Sequence, residues 1–188
     1  LDCPIVNAGD GTNEHPTQAM LDITSLYEKF GKIKNLKVSI VGDILHSRVA
    51  MSNILGLQKM GAKVLLCAPP HLIPKFMSEF GVKISHDINE ALEWSDALNI
   101  LRIQRERMGI GLVPSVKEYR DLFGVTKERL QRLNKEVVIM HPGPINRGVE
   151  VDTYVADSDQ SVILNQVLNG VAVRMSILYL LLGVANES

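Results

Sequence analysis

Cysteine is scarce. Only Cys3 and Cys67 occur in 188 residues, far apart and without metal-ligand spacing. That excludes a disulfide scaffold, implies no metal site, and fits a reducing, cytoplasmic compartment. No charge of either sign dominates: 20 Lys and Arg stand against 21 Asp and Glu, a formal net charge of −1. Without a global field, neither nucleic acid nor a membrane surface is expected as a partner. There is no internal repeat, no low-complexity segment and no signal-peptide pattern, and the first residue is Leu rather than Met. A dinucleotide fingerprint is missing too. Gly42 follows a strand-like run, but no G-x-G-x-x-G surrounds it, so the nucleotide reading is weak. One long apolar run exists, VLNGVAVRMSILYLLLGVA at 167–185. It approaches the length of a membrane span. Asn169, Arg174 and two glycines interrupt it, so a buried helix is expected, apolar on nearly every side and needing cover all round.

What is present alternates. KVSIVG (37–42) reads as a buried parallel strand, and residues 47–59 follow with helical spacing. Lys63–Cys67 is a second strand. Pro69-Pro70 opens a helix predicted to reach about Phe80, with Gly81 as its stop. Val82–Ile84 is a third, weaker strand. Asp87 is expected to N-cap INEALEW, with Glu90 completing a capping box. Ala97–Leu101 is strand four, one or two short helices fall within 114–133, and Val137–Met140 is strand five. The flanks, an amphipathic helix over 16–30 and a long apolar one over about 160–183, stand outside this alternation. The fold class expected is α/β: a doubly wound parallel sheet of about five strands with helices on both faces. Ligands in such sheets lie beyond the carboxyl ends of the strands. Three polar motifs fall there: GDILHSR, LRIQRER and HPGPINRG.

Each motif has an ordinary reading beside the functional one. Arg48, at a helix start, is by default solvated or ion-paired, yet it stands past a strand end. Arg105 and Arg107 read best as a solvated, charge-compensated loop. Arg102 directly follows strand four. Two guanidinium groups in one cleft suit a small dicarboxylate, each able to bind a carboxylate bidentately. A lone His such as His15 is more often structural, but His15 and Gln18 stand at the start of a helix opened by Pro16, beside free backbone N–H groups. That predicts a donor-rich corner for an oxygen-rich ligand. In HPGP, Pro142 and Pro144 contribute no N–H, so the turn offers carbonyl acceptors, fit for an amide-like NH2. Gly143 lets a ligand approach the backbone, and either X–Pro bond could be cis. His141 reads as structural.

Together NAGDGTNEHPTQAMLDI, VGDILHSRVAMSN, LRIQRERM and MHPGPINRGVEVD closely resemble the catalytic chain of the aspartate carbamoyltransferase family, in the family's order, from about residue 5 onward. Ornithine enzymes are similar but look like HPCQ and HCLP where this chain has HPTQ and HPGP. The resemblance implies transfer of the carbamoyl group of carbamoyl phosphate to the amine of L-aspartate, an early pyrimidine-synthesis step, with no cofactor. It implies that His15 is catalytic, hydrogen-bonding the carbamoyl oxygen, and that Gln18, Gly143 and Pro144 also contact the carbamoyl group. It implies that Arg48 and Arg102 bind the aspartate carboxylates and that Gln104 supports them. It further implies a homotrimer with shared active sites, and leaves open regulatory or dihydroorotase chains as partners. Residues 1–30 would be the end of a carbamoyl-phosphate domain and its linking helix, 31–160 an aspartate-binding domain, and 161–188 a helix returning to the first domain. The family's Ser-Thr-Arg-Thr phosphate motif does not occur in these residues, so the chain alone is expected to be inactive. Transfer to another acceptor such as ornithine, or a non-catalytic binding module of the same fold, are the competing readings.

Overall fold

The computed structural model describes residues 3–103 and 115–183. Five strands, β1 (Lys37–Val41), β2 (Lys63–Cys67), β3 (Lys83–Ser85), β4 (Ala97–Ile100) and β5 (Val138–Met140), form one parallel sheet in the order β3-β2-β1-β4-β5. The chain steps outward from β1 through β2 to β3, crosses back to β4, and continues to β5. Right-handed crossovers therefore place α2 (Arg48–Lys59) on one face, and α3 (Ile88–Trp94), α4 (Val116–Phe123) and α5 (Lys127–Gln131) on the other. The order reverses between β1 and β4. Register brings Val41 level with both Cys67 and Ile100, and Asn99 level with Met140. The carboxyl ends thus form one edge, with a topological switch point at its centre. β1, β2, β4 and β5 are buried along nearly their whole length, as their largely apolar runs require, whereas the edge strand β3 is partly exposed. Cys67 is among these residues, and burial first of all pushes its thiol up to about 12, far from a nucleophile's range.

Local chemistry accounts for most element ends. Ser47 N-caps α2 by accepting from the Ala50 N–H, and Gly31 ends α1 (Pro16–Phe30) in the left-handed conformation. Two expectations need correction. Residues 69–80 do not form one helix but two 3-10 turns, Pro70–Leu72 and Lys75–Phe80. Pro74 lies between them, and its missing N–H and fixed φ break the helical ladder. Asp87 does cap α3, accepting from the Asn89 N–H at 2.8 Å. Glu90, however, does not complete the box: it accepts from Ser85 Oγ and pairs with Lys83 Nζ at 2.8 Å. Ser85 Oγ takes the Asp87 N–H in its place, at 3.1 Å.

Two helices flank the sheet unit. α1 packs against α2 and against the last helix, α7 (Ile163–Gly183), which also touches β5; a single turn, α6 (Thr153–Ala156), precedes it. The cover that a helix of this composition needs is supplied only in part by these residues. Only Gln166 and Gly170 are buried, while Leu164, Leu168 and Tyr179 are 80%, 70% and 77% exposed. α7 is also the one described helix long and apolar enough to cross a membrane by length and composition.

Candidate functional site

At the switch point a cleft of about 390 Å³ opens above β1, β4 and β5. His15, Gln18, Arg48, Arg102, Gly143 and Pro144 all line it. These are six of the seven residues singled out in the sequence; Gln104 lies outside the described residues. Gly42 shapes the floor. Its φ is +122°, and a Cβ there would sit 2.9 Å from the Leu101 carbonyl oxygen, so β1 and β4 can close together beneath the cleft only over glycine. Arg48 opens α2 directly after the Ser47 cap. Its guanidinium lies under the backbone of Gly9, where a Cβ would come within 2.8 Å of Arg48 Cζ.

His15 precedes the first turn of α1. Its backbone N–H donates to Ser52 Oγ of α2 at 2.9 Å, and its Nδ1 lies 3.3 Å from Thr17 Oγ1. Partial burial, and then the positive charges of Arg48 and Arg174, hold its imidazole below the ordinary histidine range. The ring is therefore neutral at neutral pH and can donate one N–H. The donor-rich corner is narrower than the sequence suggests. Gln18 gives an Nε2–H to Asp22 Oδ1 at 3.0 Å, and the free end of its amide is a carbonyl oxygen.

The turn after β5 is an acceptor surface. The Gly143–Pro144 peptide is cis, and Gly143 has φ +72° with open space where a Cβ would stand. Its N–H, the only one that Pro142, Gly143 and Pro144 possess, is already taken by His141 Nδ1 at 2.8 Å. Only carbonyls remain. Because His141 Nδ1 accepts, its ring proton is on Nε2, facing the buried Glu150 Oε1 at 3.3 Å. Glu150 also accepts from the Asn146 N–H, and Asn146 Nδ2 donates to the Ile103 carbonyl at 3.0 Å. His141, Glu150 and Asn146 thus tie the turn to the segment carrying Arg102.

Asp43 and His46 line the cleft as well, joined by Asp43 Oδ1 and His46 Nδ1 at 2.8 Å. Sequence reading passed over them within GDILHSR, although the D-x-x-H spacing at a strand end was a usable signal. Asn146, Asp22 and Gln166 carried none. Each reads as an ordinary polar residue until the fold brings it beneath the cleft.

Two arginines, a neutral imidazole and an acceptor turn thus meet at the switch point of a parallel sheet, where α/β domains of this class hold small ligands. Residues 34–181 match the family model described as aspartate/ornithine carbamoyltransferase, Asp/Orn binding domain. The chain belongs to this carbamoyltransferase family. An aspartate carbamoyltransferase catalytic subunit from Cytophaga hutchinsonii is 61% identical over 179 residues, covering 95% of this chain and 58% of that protein. The catalytic subunit of M. jannaschii aspartate transcarbamoylase aligns over all of this chain and 62% of its own, with TM-score 0.83 and 30% identity. The Trypanosoma cruzi aspartate transcarbamoylase, solved with carbamoyl phosphate, gives TM-score 0.83 and 28% identity over 95% of this chain and 59% of its own. The chain therefore spans about three-fifths of the length of these relatives.

Proposed function

We propose that these residues form the aspartate-binding part of an aspartate carbamoyltransferase, acting in pyrimidine biosynthesis. One observation carries the reading: a single cleft is lined by His15, Gln18, Arg48, Arg102 and the 142–144 turn. Arg48 and Arg102 bind the two carboxylates of L-aspartate. The turn carbonyls accept from the carbamoyl NH2. The neutral His15 donates to the carbamoyl oxygen. As the aspartate amine, unprotonated, attacks the carbonyl carbon, that oxygen gains negative charge, and the His15 N–H stabilises it by roughly 3 kcal/mol, as one oxyanion donor does in other acyl transfers. The carbon–oxygen bond to phosphate then breaks, and phosphate leaves with the bond's electron pair and takes up the proton that the attacking nitrogen loses. Holding two small reactants in line lowers much of the remaining barrier. No cofactor takes part.

The domain reading follows the same lines. Residues 1–30 close a carbamoyl-phosphate domain, 31–160 bind aspartate, and 161–188 return to the first domain, which would cover the bare face of α7. The name of the 61% identical relative supports aspartate over ornithine. A homotrimer in the cytoplasm, open to regulatory or dihydroorotase chains, completes the proposal. Carbamoyl aspartate formation by the full-length protein tests it. Turnover with L-aspartate and not with L-ornithine is expected; the reverse preference overturns the acceptor assignment, and no turnover with either overturns the enzyme reading.

A further inference from the structure

Beneath the cleft lies a carboxylate to which the proposed chemistry assigns nothing. Asp22 of α1 is fully buried, and among the described residues no cation pairs with it. Four side-chain amides surround it, one from each of four elements. Gln18 Nε2 of α1 and Gln166 Nε2 of α7 donate to Oδ1 at 3.0 and 2.8 Å. Asn53 Nδ2 of α2 and Asn99 Nδ2 of β4 donate to Oδ2 at 2.8 and 3.0 Å. All four present nitrogen. An ionised carboxylate accepts and cannot donate, so it turns every neighbouring amide the same way round.

That orientation has a visible cost. Asn53 Oδ1 and Asn99 Oδ1 are buried with no partner among the described residues, and each such unpaired group lowers stability. Burial pushes the Asp22 carboxyl up, against the pull of the four amides. A hydrophobic residue would avoid both costs. What the arrangement secures is polarity. Gln166, held by nitrogen at Asp22, accepts the His141 backbone N–H at its Oε1, 2.9 Å away, and His141 Nδ1 accepts the Gly143 N–H. Gln18, held the same way and lining the cleft, has its carbonyl oxygen left over for a ligand.

We propose that Asp22 is a positioning residue that makes the site select a carbamoyl NH2. By orienting Gln18 and, through Gln166 and His141, the 142–144 turn, it surrounds that position with acceptors and leaves His15 as the donor for the carbamoyl oxygen. The inference rests on the carbamoyl-transfer reading and adds to it how the site tells NH2 from a methyl group of equal size. A group bearing two N–H donors satisfies the acceptors; a methyl leaves them desolvated and unpaired.

The test uses the full-length enzyme and two ligands, carbamoyl phosphate as substrate and acetyl phosphate, its methyl analogue, as competitor. The readout is the ratio of the acetyl phosphate inhibition constant to the carbamoyl phosphate KM. Asp22→Asn puts an N–H where an acceptor stood and lets Gln18 turn over; the ratio should fall roughly tenfold, the worth of about one hydrogen bond. The KM for aspartate, bound at the arginines, should move little. Asn99→Ser removes a donor from the far oxygen without touching Gln18 or Gln166; it should lower thermal stability and leave the ratio unchanged. An unchanged ratio in Asp22→Asn, or an equal fall in both variants, overturns the proposal. If Asp22→Asn does not fold, Gln166→Met, which cuts only the arm to the turn, carries the same expectation and can fail in the same way. Wild-type enzyme inert toward carbamoyl phosphate would instead sink the functional reading.

Discussion

One side chain in the cleft takes its chemistry from neighbours distant in sequence. His15 is held below the ordinary imidazole value of 6.5 by burial, Arg48 and Arg174. A lowered histidine pKa means that the folded state resists protonation. Its contribution to stability is complete above about pH 6.5 and is lost as the pH falls through the folded value. Protonation also introduces a third cation beside two arginines. Arg174→Gln removes one of the two charges, so the His15 pKa should rise and the acid limb of the rate profile should move to higher pH. A pH profile of kcat checks this; an unmoved or downward-shifted limb contradicts it. Arg102→Ala should raise the KM for aspartate by roughly 10- to 100-fold, the worth of a charge-assisted pair, with a smaller change in the KM for carbamoyl phosphate. Gly42→Ala would force a φ of +122° on alanine and drive its Cβ to within 2.9 Å of the Leu101 carbonyl. A loss of about 2 kcal/mol or more in denaturant unfolding is expected. His15, Arg48 and Arg102 were legible in the sequence because each stands beside a strand end or a helix start. Asp22 was not. In MLDITS it looks like the wet face of an amphipathic helix, yet Gln18, Asp22 and Ser25 line the buried face of α1.

Elements obeyed their local signals wherever the backbone had one consistent instruction. Strand-helix alternation from 37 to 140 placed all five strands to within a residue or two, because a parallel sheet buried on both faces needs continuous apolar runs. The segment 69–80 failed because Pro74 was passed over inside a helical reading. The capping box failed because Ser85 and Lys83, brought near by β3, outcompeted the Asp87 backbone for Glu90. Asp87→Ala should therefore cost about 1 kcal/mol in denaturant unfolding through the lost cap. α7 shows the limit of element-level reading. Its composition demanded cover on every side, and these residues supply one stripe of it. The 188-residue chain should self-associate through that face in sedimentation velocity; a monomer at micromolar concentration would contradict this.

At the scale of the molecule, function depends on bringing remote segments to one sheet edge. Residues 15, 48, 102 and 143 come from four separate stretches and meet because the strand order reverses between β1 and β4. The acceptor side of the proposed reaction is thereby assembled within these residues, whereas the Ser-Thr-Arg-Thr phosphate motif of the family does not occur among them. The 188 residues alone should form no carbamoyl aspartate in a single-turnover assay, while the full-length protein should; turnover by the shorter chain at a comparable rate would show that the phosphate is held by other means.

Sequence alone determined the class of the fold, the edge where the cleft opens and the kinds of group offered there. Hydrophobic period, turn chemistry and charge are local properties, written residue by residue. Tertiary structure decided how those groups point. An amide can present either end and an imidazole either nitrogen, and which one reaches a ligand is set by the partner on the other side. Here those partners, Asp22 for Gln18 and Gln166, and Glu150 with the Gly143 N–H for His141, meet them only once α1, α7 and the turn after β5 have packed together.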